Sequence, residues 1–127
     1  MKVIIVGCGK IGATLTARMA KEEHDVIVID NDPAVLKEIT ERHDVIGFCG
    51  SATSYDNLTE AGVAGCDLFI AVTGSDEFNM LSCFVARKIG AKHTVARVRN
   101  SEYNNDGFHY MMEQLELSMS VNPELMM

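Results

Sequence analysis

The sequence predicts an α/β protein with a doubly wound parallel sheet of about six strands and helices on both faces. Short apolar runs alternate with segments of helical periodicity along most of the 127 residues. The first run, Lys2–Val6, is almost entirely apolar, which is typical of a strand covered on both faces of a parallel sheet. Glycines follow that run directly, and a helix is predicted from Ile11 to about Lys21. Such alternation fits the strand order 3-2-1-4-5-6.

The next four elements continue the alternation. Residues 26–29 form a second apolar strand. Asp32-Pro33 then starts a helix, because a carboxylate N-cap followed by proline at the first helical position favours a helix start, and this helix runs to about residue 42. A third, weaker strand is predicted over residues 45–48, and a short helix over residues 53–61.

The second half repeats this pattern. An apolar strand is predicted over residues 68–72, and a longer helix over 76–89 that ends at Gly90. A fifth strand follows over residues 94–98. The last helix, over residues 102–115, is less regular because Asn-Asn-Asp-Gly at 104–107 is typical of a turn. Alternating residues 117–121 predict a sixth strand at the edge of the sheet.

Charge and composition exclude several classes of function. The net charge is −7, from 11 Lys and Arg against 18 Asp and Glu. This argues against nucleic acid and against direct adhesion to a membrane surface, because nucleic acids and anionic lipid surfaces attract a basic face. No apolar run is long enough for a membrane helix, so we expect no direct membrane insertion, and Met1-Lys2 leads into too short an apolar run for a signal peptide. We therefore expect a cytosolic protein.

The cysteines and histidines do not indicate a metal site. The four cysteines, at positions 8, 49, 66 and 83, include no C-x-x-C pair, and each lies in or beside an apolar segment. We expect buried, reduced thiols that pack as small apolar side chains. The four histidines are scattered at the ends of segments, so the clustered ligands of a zinc site are missing.

The stretch GCGKIG at residues 7–12 carries the strongest chemical signal. It follows a strand and opens a helix in the first β-α-β unit, which is the setting in which G-x-G-x-x-G binds a dinucleotide. The first glycine allows a tight turn, the second lets the backbone approach a pyrophosphate, and the third allows close packing of helix and strand. Free N–H groups at the helix start favour phosphate. The sequence therefore predicts a Rossmann-type fold whose ligand-binding loop is Gly7, Cys8, Gly9, Lys10, Ile11 and Gly12.

A carboxylate at the end of the second strand indicates the type of nucleotide. Asp30 lies where such a carboxylate accepts hydrogen bonds from ribose hydroxyls, and Asn31 is beside it. Asp30 would repel a 2′-phosphate, so the sequence favours NAD(H) over NADP(H). The nearby Asp32 has a structural role as an N-cap. Lys10 could supply a cation for the third phosphate of ATP, or it could lie in solvent.

Small residues follow the third and fourth strands. Ser51 or Ala52 could touch the adenine, and Ser51 could equally cap a helix. Thr73, Gly74 and Ser75 lie beside the predicted switch in strand order, where small residues leave room for a pyrophosphate and ribose. The alternative for these three is a simple turn with an N-cap.

Two further polar residues are candidate ligand contacts. Asn79 lies one turn into the fourth helix and could face the same crevice. Arg97 lies in a largely apolar strand, where its guanidinium could meet phosphate oxygens or be solvated. The predicted site thus draws on the ends of the first five strands and on the loops that follow them.

No catalytic constellation accompanies these residues. A short-chain dehydrogenase carries a tyrosine with a lysine four residues later, and Tyr55, Tyr103 and Tyr110 all lack that lysine. No Cys–His pairing or general base stands out. The sequence therefore favours binding without catalysis. The alternative is the cofactor-binding half of an NAD-dependent dehydrogenase, and a redox-sensing repressor would need an attached DNA-binding domain.

Five motifs in order resemble one family. They are VGCGKIG, VIVIDND, CGSATSYDNLTEAGV, CDLFIAVTGSDEFNML and VARVRNSEY. Together they cover nearly the whole chain and are similar to the RCK or KTN domains, also called TrkA-N domains, of potassium transport systems. The resemblance implies that residues 1–121 are one such domain. Residues 122–127, with Asn122 and Pro123 as a helix start, would lead into a C-terminal region that this sequence does not contain.

The resemblance also implies a function. It implies binding of NAD(H), or ATP/ADP in some members, without chemistry on the ligand. The implied contacts are Gly7 to Ile11, Asp30, Thr73-Gly74 and Arg97. It further implies a homodimer or larger ring that docks on a membrane potassium transporter of the Trk or Ktr type, or on a channel pore, at the inner face of the membrane. The dinucleotide would then be a signal and not a substrate.

Overall fold

The computed structural model describes residues 1–114 and 119–121 as one parallel sheet flanked by helices. The strands are β1 (Lys2–Val6), β2 (Asp25–Asp30), β3 (Ile46–Cys49), β4 (Leu68–Ala71), β5 (Thr94–Arg97) and β6 (Met119–Val121). The helices are α1 (Lys10–Lys21), α2 (Pro33–Arg42), α3 (Tyr55–Glu60), α4 (Asp76–Ile89) and α5 (Asp106–Gln114), and a 3-10 turn, Ser101–Tyr103, precedes α5. The strand order is β3-β2-β1-β4-β5-β6, which confirms the predicted doubly wound fold.

The strand order reverses at β1, which pairs with β2 on one side and with β4 on the other. Val6 at the end of β1 is in register with Ile29 and with Ala71. Because the strands are parallel, the carboxyl ends of β1, β2 and β4 lie at the same end of the sheet. The loops at this end carry most of the predicted site residues, as expected for a topological switch point.

Both faces of the sheet are covered by apolar side chains. Along β1, Ile4 and Val6 face the layer that contains α3, α4 and α5, whereas Val3 and Ile5 face α1 and α2. All four side chains are almost completely buried. Successive residues of a strand point to opposite faces, so burial on both faces explains the continuous apolar run in the sequence.

Local hydrogen bonds move two helix starts away from the prediction. Helix α3 begins two residues later than predicted because the hydroxyl of Ser54 accepts a hydrogen bond from the N–H of Asn57 at 3.2 Å. The last predicted helix is split, as the turn-like residues suggested. The side chain of Asn105 accepts a hydrogen bond from the N–H of Phe108 at 2.8 Å and starts α5, apart from the preceding 3-10 turn. Strand β3 also begins and ends one residue later than predicted.

The prediction that all four thiols are buried is wrong for one of them. Cys8, Cys66 and Cys83 are buried, whereas Cys49 is exposed. Cys49 ends β3, the strand at one edge of the sheet, whose residues are mostly exposed. An edge strand lacks the cover that a central strand receives from neighbours on both sides, so an apolar neighbourhood in the sequence does not bury this side chain.

Two predictions concern parts of the chain beyond the described residues. The predicted helix start at residues 122–127 lies there. Residues 115–118 lie there as well, and they include the end of the predicted helix over 102–115 and the beginning of the predicted strand over 117–121. Across residues 1–114 and 119–121, we find no helix with the length and apolar character that a membrane span requires.

Candidate functional site

A pocket of about 110 Å³ lies at the carboxyl ends of the strands that flank the switch point. It brings together six of the residues singled out in the sequence, namely Gly7, Asp30, Asn31, Ser51, Ala52 and Thr73. Sites for whole ligands commonly measure about 300–1,000 Å³. This pocket can therefore enclose only part of a dinucleotide, and the rest would lie along the open surface beside it.

The pocket also has a lining that the sequence analysis missed. Val6 and Ile29, the last apolar residues of their strands, line it together with Gly50, and Phe78 lines it from the first turn of α4. Phe78 is half-buried and packs partly against the core. Its position three residues after the N-cap Ser75 is the signal that could have identified it, because the first turn of a helix faces the loop that leads into it.

The three glycines of the loop have different surroundings. Gly7 has a φ of +103°, and a Cβ there would lie 3.2 Å from the Cγ2 of Thr73. A Cβ on Gly12 would lie 1.8 Å from the carbonyl oxygen of Gly7, a distance that no side chain can adopt. At Gly9, by contrast, a Cβ would meet no atom within 4 Å. Gly7 and Gly12 are thus required by packing, whereas the absence of a side chain at Gly9 leaves open space above the loop.

That open space lies at the uncapped start of a helix. Gly9 is the N-cap residue of α1 and provides no side-chain hydrogen bond. The first N–H groups of a helix have no partner within it, and they carry the positive end of the helix dipole. The start of α1, Lys10, Ile11 and Gly12, therefore fits a phosphate group, which needs backbone donors and close approach.

Asp30 is held against the glycine loop. Its Oδ2 accepts a hydrogen bond from the N–H of Cys8 at 2.9 Å, and its Oδ1 accepts one from the N–H of Asp32 at 2.9 Å. A carboxylate has about four acceptor positions, so the half-exposed Asp30 retains capacity for the hydroxyls of a ribose. Burial, together with the negative charge of Asp30, raises the pKa of the Cys8 thiol to about 12. Cys8 is therefore a neutral thiol at physiological pH.

The loop after β3 presents one exposed and one buried residue. Ser51 is exposed, and its hydroxyl lies 3.0 Å from that of Thr53, whereas Ala52 is only 1% exposed. The cap of the following helix is Ser54, so the alternative role of Ser51 as a helix cap is not adopted. The backbone carbonyl of Ser51 instead accepts a hydrogen bond from the side chain of Asn57 at 3.2 Å.

The loop after β4 is held in place by Asn79 of α4. The Oδ1 of Asn79 accepts hydrogen bonds from the N–H and the hydroxyl of Thr73 at 2.9 and 2.6 Å. Asn79 is completely buried, so it supports this loop and does not line the pocket. Gly74 and Ser75 are exposed beyond Thr73, and the Ser75 hydroxyl caps α4 by accepting a hydrogen bond from the N–H of Phe78 at 3.2 Å.

The two basic residues singled out in the sequence lie outside the pocket lining. Lys10 is exposed at the start of α1. Arg97 is half-buried at the end of β5, and its Nε is buried without a hydrogen-bond partner in the described part of the chain. A buried, unpaired donor is uncommon and suits an anionic partner. Residues 1–114 and 119–121 contain no group of three or more His, Cys, Asp or Glu side chains that could hold a metal ion.

Comparison with known proteins identifies the family of this chain. The sequence profile of the TrkA-N domain matches residues 3–123. The chain belongs to the TrkA-N domain family. Over 104 residues this TrkA-N domain is 41% identical to the Trk system potassium uptake protein TrkA of Haemophilus influenzae, and the match covers 81% of the domain and 23% of that protein. The chain thus spans about a quarter of the length of that relative.

Solved structures share the fold of this TrkA-N domain at lower identity. The TrkA-N domain of the inner membrane protein ybaL from Escherichia coli has a TM-score of 0.83 at 17% identity, covering 98% of this chain and 89% of that one. The GsuK channel bound to NAD has a TM-score of 0.79 at 20% identity, covering 94% of this chain and 21% of that one. GsuK bound to ADP gives 0.78 at 20% identity, with 95% and 31% covered.

Proposed function

We propose that this TrkA-N domain binds NAD(H) as a regulatory ligand and controls a potassium transport system. The proposal is carried by one juxtaposition, the Asp30 carboxylate beside the uncapped, glycine-rich start of α1. A ribose acceptor and a phosphate site lie next to each other there, at the switch point of the sheet. Membership in the TrkA-N family and the potassium uptake relatives supply the physiological context.

Each part of the adenosine diphosphate portion of the nucleotide has a proposed partner. The backbone N–H groups from Gly9 to Gly12 hold the pyrophosphate, and Asp30 accepts hydrogen bonds from the adenosine ribose. Phe78 offers apolar surface to the adenine, and Ser51 and Ala52 line the same pocket. The negative charge of Asp30 disfavours a 2′-phosphate, which selects NAD(H) over NADP(H).

ATP or ADP is the second ligand that the site accommodates. GsuK has been solved both with NAD and with ADP, and the adenosine diphosphate portion is common to both ligands. A further phosphate would be stabilised by the cationic side chains of Lys10 and Arg97. The unpaired Nε of Arg97 supports this role.

In this proposal the domain performs no chemistry on its ligand. It acts as a homodimer or larger ring at the cytoplasmic face of the membrane, docked on a Trk- or Ktr-type transporter subunit or a channel pore. Ligand binding favours one arrangement of the paired domains, which requires a different ligand affinity in the two arrangements.

The first experiment is a thermal-shift panel on the purified protein with NADH, NAD⁺, NADPH, ATP and ADP at matched concentrations. A ligand that binds only the folded state raises Tm. We expect a clear shift with NADH or NAD⁺ and little with NADPH. A shift with ATP and ADP alone would indicate that the domain responds to energy charge and not to redox state. No shift with any nucleotide would contradict the proposal, and turnover of NADH with small carbonyl compounds would favour the dehydrogenase alternative.

A further inference from the structure

Two buried side chains of α4 join the ends of β4 and β5. The first is Asn79, whose amide uses its full hydrogen-bonding capacity. Besides accepting both hydrogen bonds from Thr73, it donates from Nδ2 to the carbonyl of Thr73 at 3.1 Å and to the carbonyl of Arg97 at 2.8 Å. Since Asn79 is completely buried, each of these bonds is shielded from water and would be costly to break.

The second side chain is Asp76, three residues earlier on the same helix. Its Oδ1 accepts a hydrogen bond from the N–H of Arg99 at 2.9 Å, and its Oδ2 accepts one from the N–H of Asn100 at 2.8 Å. Asp76 is only 9% exposed. Hydrogen bonds to a carboxylate are about twice as strong as those between neutral groups, so Asp76 holds both amides firmly.

The segment held by Asp76 leads away from the pocket. The side chain of Asn100 accepts a hydrogen bond from the N–H of Glu102 at 2.9 Å and so starts the 3-10 turn before α5. From there the chain runs through α5 to β6, at the edge of the sheet opposite β3. At the other end, Thr73 lines the pocket and packs against Gly7 of the glycine loop.

We infer that Asp76 and Asn79, together called the α4 link, transmit nucleotide binding from Thr73 to residues 98–103. A ligand that restricts Thr73 also restricts the carbonyl of Arg97, because one amide group binds both. The first turns of α4 then pass this restriction to the amides of Arg99 and Asn100. The segment that leads to β6, at the far edge of the sheet, is thereby restricted when the pocket is occupied. This inference rests on the proposed function, since it requires a ligand in the pocket.

Hydrogen–deuterium exchange with and without saturating NADH tests the α4 link. In the unmodified protein, we expect NADH to slow exchange about tenfold both in the glycine loop and at residues 98–103. Asp76→Asn keeps the shape of the side chain but turns one acceptor into a donor that faces a backbone N–H. Because Asp76 lies outside the pocket lining, this variant should bind NADH within about threefold of the unmodified protein and keep the protection of the glycine loop. It should lose the protection at residues 98–103.

Asp56→Asn is the matched control. Asp56 is an exposed carboxylate in the first turn of α3, on the same face of the sheet. This variant should keep the NADH-dependent protection at residues 98–103. Asn79→Asp provides a second test if Asp76→Asn does not fold. It retains an acceptor for the N–H and hydroxyl of Thr73 but presents an oxygen to the carbonyls of Thr73 and Arg97, so we expect lost protection at residues 98–103 even at saturating NADH.

The outcomes separate the α4 link from the proposed function. Unchanged exchange at residues 98–103 while NADH protects the glycine loop would overturn the link alone. The same holds if Asp76→Asn retains the distant protection, or if Asp56→Asn loses it to the same extent. No protection anywhere with NADH or ADP would instead refute the proposed function, and the link with it.

Discussion

The carboxylate of Asp30 accepts a hydrogen bond from the backbone N–H of Cys8, with 2.9 Å between Oδ2 and N. This bond joins the end of β2 to the turn that leaves β1, across a separation of 22 residues. The ribose acceptor and the phosphate-binding loop are therefore fixed relative to each other before a ligand arrives. Such preorganisation lowers the entropic cost of binding.

The first prediction concerns the charge of Asp30. Asp30→Asn removes a charged acceptor from the ribose position, and its amide would place a donor against the N–H of Cys8 or that of Asp32. We expect NADH affinity to fall by about tenfold or more and the preference for NADH over NADPH to shrink, as measured by isothermal titration calorimetry. Asp32→Asn is the control, because asparagine also caps a helix and the variant should bind NADH normally. Equal losses in both variants would contradict the role of Asp30.

A pair of alanine substitutions separates packing from ligand approach in the glycine loop. Gly12→Ala places a Cβ 1.8 Å from the Gly7 carbonyl oxygen, so the start of α1 must move and Tm should fall sharply. Gly9→Ala meets open space, and a φ of −68° suits alanine, so this variant should fold normally. Its methyl group would nevertheless lie where the pyrophosphate passes. We expect a near-native Tm with greatly weakened NADH binding, and normal NADH affinity would argue against the phosphate position.

Phe78 offers a test of the adenine position. Phe78→Leu keeps an apolar side chain but removes the flat aromatic surface that lines the pocket. We expect affinity for NADH and for ADP to fall by similar factors, because the two ligands share the adenosine. Phe84→Leu, at another half-buried phenylalanine of the same helix, should lower Tm comparably without changing either affinity. Loss of NADH affinity alone in Phe78→Leu would place the nicotinamide, and not the adenine, beside this residue.

A fourth prediction concerns stability at alkaline pH. Burial raises the pKa of the Cys83 thiol from 9.0 to about 12. Above about pH 9 the unfolded chain loses this proton while the folded chain keeps it, so the free energy of unfolding falls as pH rises toward about 12. Cys83→Ala should lower Tm at about pH 8, through lost packing, yet reduce the further fall between about pH 8 and pH 10.5.

Val63→Ala is the control for this alkaline effect. Val63 is completely buried but carries no ionisable group. Differential scanning calorimetry at both pH values should show Val63→Ala destabilised with the alkaline fall of the unmodified protein. A steeper fall in Cys83→Ala than in the unmodified protein would contradict the assignment.

The features that were predicted correctly from the sequence are those that depend on residues close together in the chain. Alternating apolar runs gave the strand order, and the spacing of glycines beside Asp30 located the pocket, because both signals are local or belong to a known unit. Other features depend on contacts between distant segments. Asn79 bonds the Arg97 carbonyl across 18 residues, and Asp76 bonds the Asn100 amide across 24. No periodicity encodes such pairs, so Asn79 looked like a ligand contact, and Asp76 like an ordinary first residue of a helix.

The position of Cys49 has a practical consequence. Thiol reagents attack accessible thiolates, and the other three cysteines are buried, with burial raising the pKa of each thiol to about 11 or 12. A maleimide dye should therefore attach at Cys49 alone, without any substitution. Cys49 is in register with Asp30 on the adjacent strand. The natural sequence thus provides a fluorescent reporter beside the ribose position, with which nucleotide binding can be followed in real time.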